Sequence, residues 1–315
     1  MGSLTKHFRF GITLSKTATA QQWTTLAQRA QDLGYDIAVM PDHFGSRFAP
    51  MPALMAVAST TQTLRIGTLV LANDFRHPAG LAKEAATMDL LSNGRFELGL
   101  GTGWLRSDYD TTGIAMDAFD VRLQRLRESV RIIKALLSGQ VLTYAGTHYR
   151  VSELRIEPPT VQQPRPPILI GGGSAAILRL AAEEADIISI HPSMRGGVRG
   201  FHHAAWDSTD VAFERKTNTL RRLLGPRLDS VELNCNVYST LIQRDVGVGL
   251  QEASATLGLE VDEVRKSPLA LIASTWQEAV ETLLFRREKY GISYITIRAT
   301  QMEGFARVVE ALTGK

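Results

Sequence analysis

The chain has 315 residues, 44% of them hydrophobic and 21% charged, with a formal charge of +3. That is the profile of an ordinary soluble globular protein, and its basic residues are scattered among acidic ones, which argues against nucleic-acid or membrane partners. One cysteine, Cys235, excludes an internal disulfide and a cysteine zinc cluster. With no apolar leader and no 18-residue apolar span, a cytoplasmic location is expected.

Strand and helix signals alternate from one end of the sequence to the other. The first strand is predicted at 8–14. A helix follows, with Trp23, Leu26, Ala27, Ala30 and Leu33 at helical spacing, opened by a Thr19/Gln22 capping box and closed at Gly34. Strands two and three are predicted at 37–40 and 64–71. The next helix opens at Pro78, whose fixed φ suits a first turn, and stops at Asn93 and Gly94. Strand four, at 96–100, precedes the clearest helix, in which Phe119, Leu123, Leu126, Val130, Ile133 and Leu137 recur at steps of three and four. Strand five, at 168–170, runs into Gly171, Gly172 and Gly173, and Ser174 opens a short helix. Strand six is predicted at 187–190 and strand seven at 231–238. Thr275 and Glu278 make a capping box for a helix ending at Gly291, strand eight follows at 294–297, and a last helix carries Phe305, Val308, Val309 and Leu312.

Strands that alternate with helices and are apolar on consecutive residues predict a parallel sheet buried on both faces. Their count and spacing fit an α/β chain folded as a single (β/α)8 TIM barrel over 1–315, in preference to an open doubly wound sheet. Three stretches exceed the minimal repeat, as insertions after strands four, six and seven. The stretch 141–167 is rich in Pro and Gln, with a small hairpin expected near 148–151. The stretches 192–210 and 243–274, the latter with a helix near 250–257, are expected on the active-site face as lids or substrate walls.

Polar residues just past strand C-termini are the first candidates for chemistry in this fold. Asp42 and His43 follow strand two. Histidine exchanges a proton near neutral pH, and the aspartate is placed to fix its tautomer; a helix cap with a surface histidine is the alternative. Gly99, Gly101, Thr102, Gly103 and Trp104 follow strand four. Glycines let backbone approach a ligand, although the order is not the G-x-G-x-x-G dinucleotide fingerprint. Gly171, Gly172, Gly173 and Ser174 lead from strand five into a helix N-terminus, where free N–H groups suit an anion. Glycine-rich turns on neighbouring strands are expected to grip one phosphate from two sides. On pattern alone, 67–74, which includes Leu69 and Val70, reads as a buried strand with a polar turn. His191 lines the pocket or caps a loop. His202 and His203 lack a companion carboxylate at a metal-ligand spacing, so no metal is expected.

Four segments together resemble the bacterial luciferase-like monooxygenase superfamily, and within it the branch that uses the deazaflavin coenzyme F420: MPDHF at 40–44, RIGTLVL leading into FRHP between 65 and 78, LGLGTGW at 98–104 and ILIGGGS at 168–174. The resemblance implies a TIM-barrel oxidoreductase that passes a hydride between F420 and a small organic substrate, with His43, supported by Asp42, moving the accompanying proton. It sets Asp42 and His43 beside the cofactor ring. It puts Leu69 and Val70 where relatives have a non-prolyl cis peptide behind the ring. Gly101, Thr102, Gly103, Trp104, Gly171, Gly172, Gly173 and Ser174 then surround the cofactor, Thr102 and the second turn at its phosphate. A homodimer is also implied. There are two departures. Trp104 stands where some deazaflavin dehydrogenases carry a catalytic glutamate, and Arg47 lies near where they carry a tryptophan, which points away from a sugar-phosphate dehydrogenase. The G-x-G-W pattern is shared with flavin monooxygenases, so reduced FMN with oxygen is the alternative chemistry, and cofactor binding without turnover is a third reading.

Overall fold

The structure is a computed structural model that describes residues 6–14, 19–45, 48–194, 201–242 and 245–315. Eight parallel strands form the barrel: β1 (Arg9–Thr13), β2 (Ile37–Met40), β3 (Arg65–Thr68), β4 (Phe96–Gly101), β5 (Ile168–Gly172), β6 (Ile187–Ile190), β7 (Glu232–Val237) and β8 (Ile292–Arg298). Each pairs in parallel with its sequence neighbours. The β1–β8 and β3–β4 pairings leave no free edge, which closes the cylinder. Around it lie α1 (Ala20–Asp32), α2 (Pro50–Thr60), α3 (Pro78–Leu91), α4 (Arg106–Thr112), α5 (Phe119–Leu137), α6 (Ala175–Glu184), α7 (Asp210–Leu224), α8 (Val246–Leu257), α9 (Val261–Lys266), α10 (Trp276–Tyr290) and α11 (Met302–Leu312).

The strands are apolar on consecutive residues because both faces are covered. Ile37, Val39, Leu69, Leu169, Ile187 and Tyr294 pack together inside the barrel, while Phe10, Ile12, Ile66, Leu98 and Ile188 pack outward against helices. Capping chemistry sets several helix starts. Thr19 Oγ1 accepts from Gln22 N at 3.2 Å, and Thr275 Oγ1 accepts from Glu278 N at 3.2 Å. The Glu278 carboxylate returns to Ser274 N at 2.8 Å, one residue before the box position.

The structure departs from the sequence reading in several places, including helices α4, α7 and α9, which that reading did not name. Strand three is not continuous over 64–71: it breaks at a cis peptide between Leu69 and Val70, and the piece Leu71–Ala72 resumes pairing with β4. Helix α2 was not anticipated, because Met51, Ala53, Leu54, Val57 and Ala58 are all buried and leave little polar alternation to read. The long loop after β7 contains a strand, Ser239–Ile242, that pairs in parallel with Ala270–Ala273. The expected hairpin is present as Leu142–Ala145 and Arg150–Leu154.

The N-terminal end of the barrel is plugged by charge. Arg9 lies 2.8 Å from Glu97 and 3.2 Å from Glu232, Arg65 lies 2.7 Å from Glu97, and the Arg9 guanidinium stacks 4.4 Å over the Tyr294 ring. Burial alone would raise the Glu97 carboxyl, but the two arginines hold it below the usual range. Glu232 is pushed up to about 7 by burial, which its distance from Arg9 does not overcome. The opposite end, at the strand C-termini, is where the glycine turns meet.

Candidate active site

Val70 organises the mouth. Its side chain lies between the two glycine-rich turns: a Cβ on Gly101 would fall 2.7 Å from Val70 Cγ2, and one on Gly171 would fall 2.9 Å from Val70 Cγ1. The Gly101 position is also 3.4 Å from the Gly171 carbonyl oxygen, so the turns after β4 and β5 sit side by side at one end of the barrel. Just before the cis peptide, Thr68 stitches β3 to β4. Its hydroxyl donates to Gly99 O at 2.9 Å and accepts from Gly99 N at 2.8 Å.

The glycines also answer a packing need. The space a Cβ would take is already filled by the chain: by Val70 at Gly101 and Gly171, by Ile177 at Gly172, by the His191 carbonyl oxygen at Gly173 (2.2 Å) and by the Tyr109 hydroxyl at Gly103 (2.0 Å). Their lack of side chains is therefore a packing requirement. The start of α6 offers donors to an anion: Ser174 Oγ accepts from Ile177 N at 3.4 Å, and the first-turn amides have no intrahelical acceptor. The turn after β4 is braced from outside. Thr102 O accepts from Arg122 at 3.1 Å and from the Tyr109 hydroxyl at 3.3 Å, and Thr102 Oγ1 donates to Gly103 O at 3.3 Å.

Asp42 and His43 follow β2 to the same rim, but they do not pair. Asp42 accepts from both arms of Arg76, at 2.5 and 3.1 Å, and from Ala72 N at 3.1 Å, so it locks the turn after strand three. The partner of His43 is Asp108 of α4, with Nδ1 2.6 Å from Oδ2. This corrects the expectation that Asp42 fixes the histidine tautomer. The Trp104 ring meets His43 edge-on with centroids 5.6 Å apart. Asp108 gave no signal in the sequence, because it is 65 residues from His43 and only the closed barrel brings them together.

Across the mouth, His191 follows β6 and abuts Gly171. Its Nε2 is 2.8 Å from Ser189 Oγ and its Nδ1 is 3.1 Å from the Tyr238 hydroxyl. Burial, and then the nearby Lys216 ammonium, depress its pKa to about 4, so the ring is neutral. Lys216 donates to the His191 carbonyl at 2.8 Å and pairs with buried Asp207 at 2.6 Å. Ser189, Asn234 and Tyr238 were missed in the sequence because each reads as an ordinary strand residue. Thr13, at the end of β1, has a buried hydroxyl with no hydrogen-bond partner among the described residues. The mouth thus has an apolar half, from Leu69, Val70 and the glycine turns, and a polar half, from Thr13, His191 and Tyr238.

Among the described residues there is no cluster of three or more His, Cys, Asp or Glu placed to hold a metal, and no helix long and apolar enough to cross a membrane. The His202 side chain, Arg47, and the glycines 196, 197 and 200 lie outside what is described.

Comparison with known proteins agrees with this architecture. An F420-dependent glucose-6-phosphate dehydrogenase from Amycolatopsis mediterranei (strain U-32) is 33% identical over 168 residues, 51% of this chain and 50% of that protein. The chain spans about half the length of the curated relatives of this kind that it matches. The coenzyme F420 dependent tetrahydromethanopterin reductase from Methanopyrus kandleri superposes with a TM-score of 0.78 at 16% identity, over 98% of this chain and 99% of that one. Monooxygenase RslO1 from Streptomyces bottropensis superposes with a TM-score of 0.73 at 22% identity, over 96% of each chain. At such identities both show a shared fold. The model of the luciferase-like monooxygenase family matches residues 1–200, which span β1 to β6 and both glycine turns, and the chain belongs to that family.

Proposed function

We propose that the protein is an oxidoreductase that binds the deazaflavin coenzyme F420 in the barrel mouth and acts on a small organic substrate. The observation that carries this reading is the convergence, at one end of the barrel, of the His43–Asp108 pair, Val70 between Gly101 and Gly171, and the first turn of α6. The F420-dependent relatives and structural neighbour support it.

The residues present fit such a group. A flat ring with hydrogen-bonding edges suits a mouth that is apolar on one side and carries on the other the Thr13 hydroxyl, which has no partner among the described residues. When bound, the deazaflavin supplies a ring carbon that gives or takes a hydride; the protein contributes placement and proton handling. Leu69 and Val70 support the ring face. The first-turn amides of α6, with Ser174 and Thr102, hold the anionic tail. Asp42 keeps the turn that bears Val70 in place through Arg76 and Ala72. His43 accepts or returns the substrate proton. Trp104, in place of an acidic side chain, turns the substrate class away from sugar phosphates.

Anaerobic titration with F420 and with FMN, followed by cofactor absorbance, tests the reading. Preference for F420 by at least about tenfold is expected. Preference for FMN would overturn it in favour of a flavin monooxygenase, the competitor that the RslO1 likeness makes specific.

A further inference from the structure

Two imidazoles flank the mouth, and the donors and acceptors around them fix opposite tautomers. Asn234 Nδ2 donates to the Tyr294 carbonyl at 3.1 Å, which turns Asn234 Oδ1 toward Ser189 Oγ, 2.5 Å away. A carbonyl oxygen only accepts, so Ser189 uses its single hydrogen there. Ser189 Oγ must then accept from His191, whose hydrogen therefore sits on Nε2. Nδ1 of the same ring is left to accept from the Tyr238 hydroxyl. The charged groups packed nearby, Lys216 and Asp207, pair with each other. Both nitrogens of His191 are occupied by the protein, and the ring has no position from which to trade a proton with a ligand.

His43 is arranged the other way. A carboxylate only accepts, so the 2.6 Å contact with Asp108 Oδ2 holds the hydrogen on Nδ1 and leaves the lone pair on Nε2. Among the described residues Nε2 has no partner. Asp42, the adjacent carboxylate, is fully engaged by Arg76 and Ala72, and the Trp104 ring stands perpendicular to the imidazole with centroids 5.6 Å apart.

We propose that Asp108 is the positioning residue of this site: by keeping the hydrogen on His43 Nδ1, it leaves Nε2 with a lone pair that can take a proton from a bound molecule, while His191, across the mouth, is a fixed neutral wall. When Nε2 takes that proton, its lone pair becomes an N–H bond, the ring becomes an imidazolium, and the Asp108 carboxylate balances the charge; release reverses each change. The identity of the bound molecule rests on the function proposed above, whereas the two tautomers are properties of the free protein.

The test uses the cofactor-free chain labelled with 15N-histidine, with long-range 1H–15N spectra at pH 8 and the two rings assigned from His43→Gln and His191→Gln. The Nδ1–H pattern is expected for His43 and the Nε2–H pattern for His191. Asp108→Ala should move His43 toward Nε2–H and leave His191 unchanged, and Asp108→Glu should keep Nδ1–H. An Nε2–H pattern for His43 in the unaltered protein overturns the proposal, as does an unchanged His43 pattern in a folded Asp108→Ala variant. If that variant does not fold, the unaltered and Asp108→Glu spectra decide. In the F420-loaded protein Asp108→Ala should slow hydride transfer by about 10²-fold with cofactor affinity within about twofold. Failure of F420 to bind would leave the tautomer result standing, so the two readings fail separately.

Discussion

Val70 ties the glycine turns to one another, and substitutions there separate packing from binding. Gly171→Ala would put a methyl 2.9 Å from Val70 Cγ1, a side-chain atom that can shift. We expect a loss of about 1–2 kcal/mol in stability, a loss of cofactor affinity of at least about tenfold, and recovery of most of the stability in the Val70→Ala/Gly171→Ala double variant. Thermal unfolding and cofactor titration measure both. Gly99→Ala is different, because its methyl would meet the Thr68 carbonyl oxygen at 1.9 Å. Backbone cannot yield as a valine does, so little folded protein is expected from that variant and Val70→Ala should not rescue it. The glycines stand at the turns where the sequence places them, and Val70 adds a packing reason that the sequence does not show. A missing Cβ is equally required by a ligand and by a neighbouring valine, and only the three-dimensional packing reveals the second. The same limit hid Asp108: a histidine's partner is a matter of distance in space, and Asp42 is merely adjacent in the chain.

At the scale of elements, β2 and β6 have the bounds their sequence predicts, because a short apolar run ending at a polar residue is an unambiguous strand signal here. The breaks were less legible. Nothing in the composition of 64–71 announces that the strand pauses at Leu69–Val70, and the parallel pair over the loop after β7 joins segments about thirty residues apart. Helix α7 is tied to the mouth by the Lys216–Asp207 pair, whose side chains are only 5% and 2% exposed. Lys216→Met leaves the buried Asp207 carboxylate with the largely exposed Arg215 at 3.3 Å and the Ser193 N–H at 2.7 Å, and should cost about 3 kcal/mol in urea unfolding. Adding Asp207→Asn should recover part of that loss, since the uncompensated charge is then gone. A Lys216→Met variant as stable as the parent would show that the pair contributes nothing.

For the molecule as a whole, the barrel separates two functions along its axis: charge closes the N-terminal end, and glycine turns with two imidazoles open the other. The closed end has a pH signature. Glu232 is raised from 4.5 to about 7, so its ionisation is easier in the unfolded chain. The folded state is unpenalised below about pH 4.5, loses stability as pH climbs toward 7, and changes no further above it. Glu232→Gln removes this dependence. Between pH 5 and pH 8 the variant should gain about 2 kcal/mol relative to the parent in urea unfolding, and a constant difference between them would mean that Glu232 titrates normally.

The open end is tested most directly by electron density for crystals soaked anaerobically with F420. The ring should lie against Val70 with an edge toward His43 Nε2, and its phosphate at Ser174 and the first turn of α6. A ring bound elsewhere on the surface, or a mouth that stays closed by its own side chains while F420 binds in solution, would contradict the assignment of this end of the barrel as the cofactor site.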